Sequence, residues 1–168
     1  FVAPVKPGDF ALAAVDAAYS MAMYMIGPDD ALVVRGRWPK CRCANVALWN
    51  RHMQTFDYSH RQVSLNRKQT RLENDGSFRM VIAHRDPGVP NWLDTEGRGF
   101  GMVFWRFMLP EGEIETPHAE VVQDLGAGPV VARVRLEAEV EVGLDRVLPP
   151  VLELVGAQLV EQPDAAPL

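Results

Sequence analysis

The run YSMAMYMI at 19–26 is followed by Gly27-Pro28-Asp29-Asp30 and then by ALVVRGRW at 31–38. Two β-prone runs flank a cluster of residues that favour turns, so the stretch reads as two strands of a hairpin. Residues 1–18, with Pro4, Pro7 and Gly8, read as an irregular lead-in, within which ALAAVDAA at 11–18 is a helix candidate. Downstream, CANVALWN at 43–50 gives a third strand of β-branched and aromatic character. The polar, Arg-rich residues 52–74 form a long connection with one short strand. Asn74-Asp75-Gly76-Ser77 is a strong turn signal, and FRMVIAH at 78–84 is the strand after it. RDPGVPNWLDTEGRG at 85–99 reads as a loop, and FGMVFWRFML at 100–109 is the most apolar strand.

From Val130 to Val142 every even position is apolar, while Arg133, Arg135, Glu137, Glu139 and Glu141 fill most odd ones. That period of two marks a strand with one buried and one wet face, which antiparallel sheets allow. The stretch 145–162 reads as a short helix that starts near Pro149 or Pro150. Short strands, Gly/Pro punctuation and no βαβ alternation predict a mainly β fold, an antiparallel β-sandwich with one or two short helices. The expected layout is the lead-in to 18, a sandwich domain over 19–142, and a C-terminal appendage over 143–168.

The 168 residues suit one domain, and at 48% hydrophobic and 23% charged the chain is too apolar for disorder. No apolar run approaches the ~18–20 residues a membrane helix needs. The net charge of -5 is a cancellation: the balance is -3 over 1–34, +7 over 35–106 and -9 over 107–168. Of the 17 basic residues 14 are Arg, whose planar fork matches carboxylate, phosphate or sulfate, so the middle can hold an anion. The plain alternatives are a coding bias toward Arg and a basic middle neutralised by the acidic end. Nucleic acid is not an expected partner, because the whole chain is acidic and no recognisable module interleaves Arg with aromatics. Cys41 and Cys43, as C-x-C, exclude a secreted disulfide scaffold and favour a reducing compartment, so the cytoplasm is the expected location. The first residues, FVAPVKPGDF, lack the basic head and apolar middle of a signal peptide.

The nucleophile-elbow, phosphate-loop, H-E-x-x-H and C-x-x-C motifs are all missing. The four histidines are spread over separate elements, so no metal and no cofactor are expected. Candidate acid–base residues are Asp57 and His60 in one polar loop, and Asp94, whose proton affinity a neighbouring Trp92 would raise. Asn91 and Trp92 form an amide-plus-indole surface on which sugars and other rings stack. The competing role for Trp92 is to cap the end of the core. Arg106, set between Trp105 and Phe107, reads as a buried or pocket-facing guanidinium, paired with an internal acid or with an anionic ligand.

GRWPKCRCANVALWNR at 36–51, NDGSFRMVIAHRDPGVPNWLDTEG at 74–97 and FGMVFWRFMLPEGEIETP at 100–117 resemble the domain of unknown function 1214 family. The resemblance spans about residues 31–120. The chain departs from the family pattern at Asp94, where Pro usually follows Asn-Trp-Leu, and at Trp49-Asn50, where Tyr-Asp is common. The resemblance implies a jelly-roll β-sandwich, with no established reaction, that often accompanies a companion domain.

Three functional readings follow. One is a module that binds a small anionic or ring-bearing ligand, sugar-like or lipid-like, at a sandwich end walled by Trp92 and Trp49 and lined by Arg51, Arg106 and Asn91. The second is a hydrolase or lyase with Asp94 or Asp57 as acid or base and Arg51 or Arg106 on the substrate anion. The third is an interaction subunit that pairs through the 130–142 strand with a companion or a second copy.

Overall fold

The structure is a computed structural model that describes residues 1–5 and 14–123. The described residues form eight strands and no helix: β1 (Ala17–Met25), β2 (Ala31–Gly36), β3 (Cys43–Trp49), β4 (Ser64–Asn66), β5 (Phe78–Ala83), β6 (Trp92–Asp94), β7 (Phe100–Met108) and β8 (His118–Val122). One four-stranded sheet, sheet A, has the order β1-β7-β3-β4; the other, sheet B, has the order β6-β5-β2-β8. Every pair is antiparallel except β5–β6, which is parallel. The alternating strand at 130–142 and the helix within 145–162 lie outside the described residues.

The two sheets share one core because each strand turns alternate residues inward. Ala18 and Tyr24 of β1, Val103, Trp105 and Phe107 of β7, and Val46 and Leu48 of β3 meet Leu32, Val34, Phe78, Met80 and Ile82 from sheet B. Trp105 is fully buried and lies 5.3 Å from Phe78 and 5.2 Å from Trp38, ring centre to ring centre. These rings couple the two sheets.

The hairpin expected at 19–38 does not form. Gly27–Asp30 is a turn, closed by Gly27 N–H donating to Asp30 Oδ2 at 2.8 Å, but the chain leaves one sheet there and enters the other. β1 pairs with β7 along its whole length, and β2 pairs with β5 and β8. The helix candidate fails over its described part, since Ala17 and Ala18 are fully buried strand residues opposite Met108 and Phe107. Nine residues of ladder and a buried face outweigh the helix propensity of alanine. The stretch 85–99 holds the three-residue β6, and β8 was not foreseen. The turn at Asp75-Gly76-Ser77 is present: Asp75 Oδ1 accepts Ser77 N–H at 2.9 Å, and Gly76 sits at φ 82°.

At the start of β7 the backbone passes so close to β1 that glycine is required. A Cβ at Gly101 would lie 2.7 Å from Tyr24 Cζ, and one at Gly99 would lie 2.7 Å from the Ile26 carbonyl oxygen. Gly101→Ala is expected to destabilise the fold by about 1–3 kcal/mol through overpacking. A thermal melt of the variant checks this; an unchanged midpoint would show that Tyr24 moves aside freely.

Candidate functional site

β3 ends at Trp49 and the chain turns back at once. Asn50 Oδ1 accepts N–H from His52 at 2.8 Å and from Gln54 at 3.1 Å, and Thr55 bridges back to Trp49. Met53 completes the turn at φ 61°. In sheet A, Trp49 lies opposite Met102, which sets this turn beside the first residues of β7. Asn50, Arg51, His52, Arg98, Gly99 and Phe100 line a recess of about 480 Å³ between the two. Two arginines, Arg51 and Arg98, therefore line it together with His52 and the aromatic Phe100.

Arg98 is positioned by an acid chain behind it. Its Nε donates to Glu96 Oε2 at 3.2 Å, and its guanidinium lies 5.5 Å from the centre of the Phe56 ring. Glu96 accepts the Asp57 N–H with its other oxygen, and its own N–H donates to Asp94 Oδ1 at 2.7 Å. Asp94 Oδ2 takes Arg61 Nη1 at 2.7 Å. The Asp94 carboxylate, by hydrogen bond first and charge second, pushes the Arg61 guanidinium above its ordinary range. Asp94 is buried and committed to these partners, which makes it a fastener of the Thr95–Arg98 turn.

Asp57 and His60 do meet, with His60 Nδ1 at 2.9 Å from Asp57 Oδ2. The hydrogen bond with His60 is the main reason the Asp57 carboxyl stays below the usual carboxylate range. The pair sits on an exposed turn outside the recess. Near the start of β7 the Tyr24 hydroxyl is buried and has no hydrogen-bond partner among the described residues. Burial pushes its proton affinity well above that of ordinary tyrosine.

A second recess, of about 600 Å³, lies along the β6 edge of sheet B. It is lined by Gln62, Arg71, Asp86, Asn91 and Trp92 among others. Much of its polar wall is already engaged. The Trp92 indole N–H donates to the Ala83 carbonyl at 3.2 Å. Asn91, at φ 61°, accepts Arg71 N–H at 2.8 Å and donates to the carbonyls of Arg71 and Arg79 at 2.7 and 2.9 Å.

The residues expected at one sandwich end are therefore distributed. Arg51 lines the first recess; Trp92 and Asn91 line the second. Trp49 lines neither: it stacks on Phe104 at 4.0 Å on the face of sheet A that points away from the core. Arg106 is exposed, and among the described residues no acid pairs with it. It projects from that same outer face, with its guanidinium 5.8 Å from the centre of the Tyr19 ring. Its neighbours Trp105 and Phe107 take the inward positions, so strand alternation turns Arg106 outward. Six residues separate it from Phe100, roughly 20 Å along a strand, so it does not converge with Asp94 or Arg51. Sequence reasoning missed His52, Arg98 and Phe100. Among the described residues no three His, Cys, Asp or Glu side chains come together as a metal site, and no helix is long and apolar enough to cross a membrane. Cys41 and Cys43 are both free.

No family model and no curated protein matches the chain. Among the solved structures similar to it are two crystal structures. One is an uncharacterized protein from Burkholderia cenocepacia, 30% identical, with a TM-score of 0.64, over 71% of this chain and 35% of that one. The other is the VPA0106 protein from Vibrio parahaemolyticus, 18% identical, with a TM-score of 0.56, over 69% of this chain and 33% of that one. The latter likeness shows the fold alone. The chain spans about a third of the length of both proteins.

Proposed function

We propose that this chain is a binding module whose recess at the end of sheet A holds the anionic group of a small ligand. The observation that carries the reading is the convergence of Arg51, His52 and Arg98 on one concave surface beside the Phe100 ring. A guanidinium donates two parallel hydrogen bonds to a carboxylate or phosphate, and hydrogen bonds of this kind are about twice as strong as neutral ones. Glu96 and Phe56 hold the Arg98 side chain in place, which lowers the entropy lost when an anion docks. The recess also lies in the part of the sequence with the +7 balance.

Calorimetric titration of the full chain with inorganic phosphate and with acetate tests this. Saturable binding is expected, weakened about tenfold to a hundredfold in Arg51→Ala, the loss that follows removal of a hydrogen bond to a charged partner. Arg51 is exposed and, among the described residues, its side chain fastens no turn, so the variant is expected to keep its fold. Binding that is absent, or that Arg51→Ala leaves unchanged, overturns the reading. A hydrolytic or lyase role for Asp94 or Asp57 has no such support, because Asp94 is spent on Arg61 and the Glu96 N–H, and Asp57, paired with His60, lines neither recess.

We also read the fold as a jelly-roll type of sandwich and the chain as a member of the domain of unknown function 1214 family. The passage of the chain between sheets, with β1, β3, β4 and β7 in one and β2, β5, β6 and β8 in the other, supports the first; the parallel β5–β6 pair departs from it. The three quoted sequence stretches support the second.

A further inference from the structure

We propose that the ligand of the sheet A recess is an amphipathic anion, an alkyl chain ending in a carboxylate, whose chain lies across Phe100, Met25 and Met23. The inference rests on the anion-binding reading and names its ligand class. Phe100 forms a wall of the recess and is also the first residue of β7, directly opposite Met25 of β1. The next outward row runs Met23, Met102, Trp49 across three strands. All five side chains share the face of sheet A that points away from the core, since the residues between them, Tyr24, Val103 and Leu48, belong to the core.

That face departs from the usual pattern. An antiparallel sheet with one wet side carries polar residues there. Here Met21, Met23, Met25, Met102 and Met108 occupy it, five of the seven methionines of the chain. Met25 is 76% exposed, Met23 60% and Phe100 39%, while Met102 and Phe104 beside them are buried, so the open part of the face is the Phe100–Met25–Met23 edge. The eight described strands all lie within the two sheets, so none of them covers this face. Methionine is unbranched and polarisable and adapts to a flexible apolar partner.

Charge complementarity decides the occupant. The cations Arg51 and Arg98 stand at one end of the apolar rows and the exposed methionines beyond them, so a matching molecule is anionic at one end and apolar along the rest. A sugar phosphate would turn its hydroxyls toward Phe100 and Met25, which offer no hydrogen bonds.

The test is a calorimetric titration of the full chain with acetate, octanoate and dodecanoate below their micelle-forming concentrations. Dodecyltrimethylammonium and dodecyl maltoside serve as cationic and neutral counterparts. Affinity is expected to rise about twofold to fourfold per added CH2, as apolar burial implies. The two non-anionic dodecyl compounds should bind at least tenfold more weakly than dodecanoate. The Met23→Gln/Met25→Gln double variant, altered only at exposed positions, should lose most of the gain with chain length. Acetate binding with no gain from chain length overturns this inference and leaves the anion recess standing. Equal binding of the three dodecyl compounds, or binding of none of the five, overturns both. A gain that survives the double variant removes the chain from this face. Concentration-dependent dimerisation that the double variant abolishes assigns the face to a second copy and overturns the proposal.

Discussion

Trp105→Ala is expected to destabilise the protein by about 3–5 kcal/mol. Trp105 is fully buried and joins the sheets, with Trp38, Phe78, Phe107 and Phe1 around it. Truncation leaves a ring-sized cavity in a layer whose neighbours are themselves rigid rings, so collapse recovers little. For a domain whose stability is on the order of 5–15 kcal/mol, that loss brings it near unfolding. Urea denaturation followed by tryptophan fluorescence of the remaining indoles measures it. A loss under about 1 kcal/mol would show that the sheets are held by something other than this aromatic layer.

Asn91→Ala is the second large effect, expected at about 2–4 kcal/mol. From the sequence Asn91 reads as a ligand-binding amide, yet all three of its side-chain hydrogen bonds go to backbone groups of Arg71 and Arg79. Removing them orphans part-buried backbone atoms, at about 1–3 kcal/mol for each that finds no water. Alanine at φ 61° adds about 1 kcal/mol of backbone cost, which glycine avoids. Asn91→Gly should therefore be milder than Asn91→Ala by about that amount. Chemical denaturation of both variants separates the two contributions. Equal losses would mean that the backbone conformation costs nothing, and no loss in either would mean that the amide fastens nothing.

The fold was legible where the information was local. The Asp75-Gly76-Ser77 turn, β3, β5 and β7 follow from turn chemistry and β-prone runs that touch one another in sequence. The partner of β1 was not legible. Gly27–Asp30 specifies that the chain turns, but which strand β1 joins depends on β7, some eighty positions away. β6 is only three residues long and pairs in parallel at a sheet edge, so it leaves no periodic trace inside a Pro- and Gly-rich stretch.

Arg106 shows a subtler failure. An Arg among aromatics looks buried because Met102 and Phe104, on its own outward face, are as apolar as the core residues between them. With both faces apolar, β7 carries no period-two signal to reveal which way Arg106 points. The same outer-face chemistry that hid the strand's orientation supplies the methionine surface beside the recess. Arg51 was found from residue type alone. Arg98 and Phe100 were not, because only the register that puts Trp49 opposite Met102 brings them to Arg51.

The central claim, an anion held by Arg51 and Arg98 at the end of sheet A, is tested most directly by nuclear magnetic resonance. The side-chain Nε–Hε signals of the arginines and the indole N–H of Trp92 are followed while phosphate is titrated into the full chain. The account predicts saturable shifts at Arg51, Arg98 and the amides of Gly99 and Phe100, with Trp92 and Arg71 unmoved. Shifts centred on Trp92 and Arg71, or none at any arginine, would contradict it.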